Sequence, residues 1–84
     1  MPRFNIYYRK FSMLARDYID YIKVVETEDI YHEIGKIICK SIEHIERISY
    51  TQPKASQEEC EQFWLENGYE KVLENLWAKK PNNN

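Results

Sequence analysis

Glycine occurs only at positions 35 and 68, and proline only at 2, 53 and 81. A fold of many short strands needs such turn residues about every 8–12 residues, so their scarcity speaks against an all-β chain and for helices. Cysteine is equally sparse: Cys39 and Cys60 permit one bridge at most and lack the C-x-x-C spacing of zinc or redox sites. Arg3, Arg9, Lys10 and Arg16 interrupt any apolar leader, so the expected compartment is the reducing cytosol. No run approaches the ~18 consecutive apolar residues of a membrane span, and no membrane partner is expected. A Gly-rich phosphate loop, G-x-S-x-G and H-E-x-x-H are all missing, so neither an enzyme nor a cofactor is expected.

What is present suffices for one domain over residues 1–84 and is too short for a dinucleotide-binding unit or a βα barrel. Apolar residues make up 43% of the chain and the net charge is only −2, which excludes a disordered segment.

Helical spacing dominates the pattern. Phe4, Tyr7, Tyr8, Phe11, Leu14, Ala15, Tyr18, Tyr21, Ile22 and Val25 recur at three- and four-residue steps, which predicts a helix over residues 4–25. The competing reading is a strand over Arg3 to Arg9, where Phe4, Ile6 and Tyr8 alternate with more polar neighbours, but it finds no partner strand within the chain. Thr27 reads as an N-cap ahead of a second long helix with a stripe of Ile30, Tyr31, Ile34, Ile37, Ile38, Ser41, Ile45 and Ile48. Gly35 at the edge of that stripe implies close approach of another helix. Pro53 stops this helix, and Ser56-Gln57-Glu58-Glu59 is a capping box that opens a third, with Cys60, Phe63 and Trp64 inward. Asn67-Gly68 reads as its C-cap, followed by a fourth helix from Tyr69 to about Lys79, ended by Pro81 and a frayed tail over 81–84. The predicted fold class is therefore all-α: a small helical bundle with a long antiparallel helix hairpin and two shorter helices.

Metal ligation has little to start from. Asp29 and His32 share a helical face without a second copy of the pair, His44 sits at the border of the apolar stripe, and no metal is expected. Cys39 falls on the polar side of its helix and Cys60 toward the core.

Charge and aromatic residues say more. Residues 1–23 carry five basic against two acidic side chains, and residues 24–84 carry seven against twelve. On a helix, Arg9, Arg16 and Lys23 would form a basic row about 21 Å long, able to track phosphates. Six of the twelve aromatics crowd into residues 4–21, more than a small core covers, so the row Tyr7, Leu14 and Tyr21 is the expected partner-binding face or homodimer seam. The Tyr7-Tyr8-Arg9-Lys10-Phe11 segment resembles the Leu-Tyr-Arg opening of the LYR-motif helical adaptors, which bind acyl carrier protein through basic residues. The resemblance departs at the leading leucine and extends no further along the chain, and the functional reading does not rest on it. That reading is a cytoplasmic protein–protein interaction module acting as an inhibitor, immunity-type protein or adaptor. The alternative is a dimeric nucleic-acid-binding regulator using Arg9, Arg16 and Lys23.

Overall fold

The computed structural model describes residues 1–80 and replaces the expected helical bundle with a five-stranded antiparallel sheet carrying a helix on each face. In chain order the elements are β1 (Arg3–Ser12), β2 (Asp17–Glu26), α1 (Ile30–Lys40), β3 (Ile45–Thr51), α2 (Gln57–Glu66), β4 (Glu70–Leu73) and β5 (Leu76–Lys79). The strand order is β3-β1-β2-β5-β4. The chain thus passes from β2 to β3 by α1 over one face, and from edge strand β3 to edge strand β4 by α2 over the other. The expected tail, residues 81–84 with Pro81, lies outside the described residues.

The predicted helix over residues 4–25 is the β1–β2 hairpin, paired from Arg3↔Glu26 to Ser12↔Asp17. With it goes the helical setting that the LYR-motif resemblance implies. The physical reason is two-sided burial. Ile6 and Tyr8 point to the face that α1 covers, while Asn5 and Ile22 point to the face that α2 covers. A strand buried on both sides loses its apolar-polar alternation and reads as a dense apolar run. The hairpin turn hides as well, because its left-handed position is filled by Arg16 (φ 55°) and not by glycine.

The second predicted helix is cut to half its length. Its N-cap is Asp29, whose Oδ1 accepts the backbone N–H of His32 at 3.1 Å, while Thr27 Oγ1 accepts from the Asp29 N–H at 3.0 Å. After Lys40 the stripe continues on a strand. Ile45 and Ile48 both pack toward α1 although residues three apart on a regular strand face opposite ways. A register shift opposite Arg9 and Lys10 inserts the extra residue that realigns them, and this bulge reproduces helical spacing. The fourth predicted helix is the β4–β5 hairpin, which again holds a register irregularity, between Lys71 and Leu73.

Local signals fare better. The capping box of α2 is formed, with Ser56 Oγ accepting the Glu59 N–H and Glu59 Oε1 accepting the Ser56 N–H, both at 3.2 Å. That backbone hydrogen bond holds the Glu59 carboxyl below the ordinary carboxylate range. Asn67 caps the C-terminus and Gly68 follows at φ +90°. Cys39 is exposed and Cys60 half-buried, both as free thiols. Among the described residues no helix is long and apolar enough to cross a membrane.

Gly35 does not mark a close approach: a Cβ built there meets nothing within 4 Å. Gly35→Ala is therefore expected to raise stability by about 0.5–1 kcal/mol, by limiting the unfolded chain and favouring the helix. An unchanged or lower urea midpoint would contradict this.

Two clusters flank the sheet. Under α1, Ile6, Tyr8, Val25 and Ile30 are buried; under α2, Ile22, Val24, Trp64 and Trp77 are buried, the two indoles meeting edge-on at 5.5 Å.

Candidate functional site

The expected aromatic row is dispersed by the hairpin. Tyr7 faces α2, where its Oη accepts from Thr51 Oγ1 at 3.3 Å. Tyr21 faces α1, stacked on Tyr8 at 5.1 Å with Lys10 Nζ 5.3 Å from its ring centre. Leu14 stands apart from both, in the β1–β2 turn. Strand alternation puts the two tyrosine rings on opposite faces of the hairpin.

The basic row is dispersed in the same way. Arg9 lies on the α2 face of β1, with Nη1 3.2 Å from both Asp20 oxygens and Nε 2.9 Å from Glu46 Oε2. Its guanidinium also lies over the Tyr18 ring at 5.5 Å, and its pKa is raised first by the hydrogen bond to Asp20. Arg47 approaches the same Asp20 carboxylate at 3.8 Å. Arg16 sits in the turn, and Lys23 pairs directly with Ile6 on the α1 face. Three cations that a helix would align are thus divided between two faces and a loop, and Arg9 is engaged by carboxylates before any phosphate arrives.

One part of the expected face survives in a new setting. The β1–β2 turn is stitched to the loop between α1 and β3. The Phe11 N–H donates to the His44 carbonyl at 2.9 Å, the Met13 N–H donates to Glu43 Oε2 at 3.2 Å, and the Ser41 hydroxyl donates to the Glu43 carbonyl at 2.8 Å. Lys10 adds an ion pair with Glu43 at 3.7 Å, and the Tyr18 ring meets Phe11 edge-on at 5.5 Å. On this end of the sheet Leu14 is 98% exposed, Ile42 96% and Met13 69%. Arg16 lies two residues from Leu14 and Lys40 two from Ile42, and among the described residues neither makes an ion pair. Large apolar side chains held bare on a hydrogen-bonded platform gain about 1.5–3 kcal/mol each when fully covered.

Met13 and Ile42 were missing from the sequence-derived face. Ile42 falls inside the second predicted helix, off its apolar stripe, and nothing in Ser12-Met13-Leu14-Ala15-Arg16 resembles a Gly or Asn turn. The available signal was the Lys40-Ser41-Ile42-Glu43 break, where an isoleucine sits between polar residues just before a stretch that holds the β-branched Ile45, Ile48 and Thr51. In comparisons with known protein families, characterised proteins and solved structures, nothing matches the chain.

Proposed function

We propose that the protein is a small protein-binding module of the inhibitor, immunity or adaptor kind, docking through the apolar end formed by Met13, Leu14 and Ile42. The observation that carries this reading is the near-complete exposure of Leu14 and Ile42 on a platform fixed by hydrogen bonds. Isolated surface leucines are ordinary; three large apolar residues at the junction of two stitched loops form the centre of an interface, with Arg16 and Lys40 as a basic rim suited to an acidic partner. The two free thiols, on helices packed against opposite faces of the sheet, suit a reducing cytosol. Nucleic-acid binding is the weaker reading, because Arg9, Arg16 and Lys23 do not share a surface.

The test is comparative capture from the cell of origin with the wild-type protein and with a Leu14→Asp/Ile42→Asp variant whose fold is verified by circular dichroism. A partner retained by the first and bound at least about 100-fold more weakly by the second supports the reading, since charges at the centre of an apolar contact act on its hot spot. Equal retention of the same proteins by both would overturn it.

A further inference from the structure

A second feature lies on the far side of Tyr7, between α2 and the sheet. A cavity of about 550 Å³ opens there, lined among others by Asn5, Tyr7, Cys60, Phe63, Trp64 and Tyr69. Its size falls in the range that takes small organic ligands, and four of its twelve lining residues are aromatic.

Asn5 is the anomaly. It occupies the interior strand β1, is 2% exposed, and lies between Val24 of β2 and Thr51 of β3. Asparagine is a poor strand former, and a valine or leucine would satisfy this position without penalty. The side chain is also poorly satisfied. Nδ2 donates over 3.5 Å to Tyr7 Oη and 3.8 Å to Cys60 Sγ, and Oδ1 has no partner. A buried acceptor left unpaired is destabilising, so Asn5 works against the stability of the sheet. Local choices that oppose the fold concentrate where a ligand is bound.

We infer that this cavity binds a small neutral aromatic molecule carrying a single N–H or O–H donor, with the donor directed to Asn5 and the ring held among Tyr7, Trp64 and Tyr69. The donor follows from the unpartnered acceptor, and the planar ring from the aromatic walls, which offer π faces and edges for stacked or edge-on contact. Neutrality follows from the rim, where Glu59 and Lys79 bring opposite charges and Lys79 Nζ already lies 5.8 Å from the centre of the Tyr69 ring. The site is independent of the apolar end, which lies beyond Arg9 on the opposite half of the hairpin.

Indole and 1-methylindole separate this proposal from an empty or water-filled hollow, because they share a shape and differ by one donor. The full-length protein labelled with ¹⁵N is titrated with each and followed by two-dimensional NMR. Indole is expected to move the Asn5 side-chain amide and the backbone amides of Cys60 and Phe63 saturably, with a dissociation constant of about 0.1–1 mM, as befits so few atoms. The methylated compound is expected to bind at least about tenfold more weakly, and Asn5→Leu to abolish the difference. No saturable shift up to the solubility of indole, or equal affinities on the wild-type protein, would overturn the proposal. The wild-type comparison decides even if the variant does not fold.

Discussion

Trp64→Ala is expected to lower the urea midpoint by about 3 M or to leave the chain unfolded without denaturant. Trp64 is 4% exposed and is the one buried residue of α2, so it is the main anchor of that helix in the core, beside the half-buried Cys60. Its indole meets that of Trp77, itself 3% exposed, and both rest on Ile22 and Val24. Truncating a buried tryptophan costs about 3–5 kcal/mol in lost transfer energy and residual cavity. A domain of this length holds about 4–13 kcal/mol in all, with a urea dependence near 1 kcal/mol per molar. The loss therefore consumes much of the total. Leu14→Ala, made at a bare position, should move the midpoint by less than about 0.5 M. Similar midpoints for the two variants would mean that α2 is not held by this cluster.

Alkali is the second strong perturbant. Burial, with the neighbouring Tyr21 adding to it, pushes the Tyr8 phenol up to about 12 from its ordinary 10. Burial also raises Tyr21 and Tyr69, helped by the negative charges of Glu43 and Asp20 respectively. In each case the folded protein resists ionisation that the unfolded chain permits. The resulting stability is complete below pH 10 and is lost as pH rises through the folded-state value. For Tyr8 the shift is worth about 2 kcal/mol once solvent screening is allowed for. Urea midpoints measured from pH 9 to pH 12 should therefore fall steeply above pH 10, in step with tyrosinate absorbance, and fall less in Tyr8→Phe. A flat profile across that window would show that these rings are open to water.

The contrast between what was and was not legible in the sequence follows the range of the signal. The capping box of Ser56 and Glu59 and the turn at Gly68 depend on atoms a few residues apart, and both were readable. The strands depend on what covers them. Burial of both faces of β1 and β2 filled in the alternation, and the bulge in β3 set Ile45 and Ile48 at a spacing of three. The turn at Arg16 lacked a glycine to betray it. Leu14 was reached for a helical reason and proved exposed for a loop reason. Asn5, in contrast, carried a visible anomaly, a strand-averse polar residue amid Phe4, Ile6 and Tyr7, that the helical pattern concealed.

The path of the chain over the two faces also fixes an order of assembly. β1 and β2 are joined by a four-residue turn and pair along their whole length, so this hairpin is the natural nucleus. β3 can add to β1 only after α1 has been spanned, and β5 reaches β2 only after α2 has crossed from one edge to the other. The pairing of β5 with β2 spans more of the chain than that of β3 with β1, so it is expected to form last and to open first in native-state hydrogen exchange. An opening of that kind would undo the Asn5 cavity while leaving the hydrogen-bonded end that carries Leu14 and Ile42 assembled, which would give the two surfaces separate lifetimes within one small molecule.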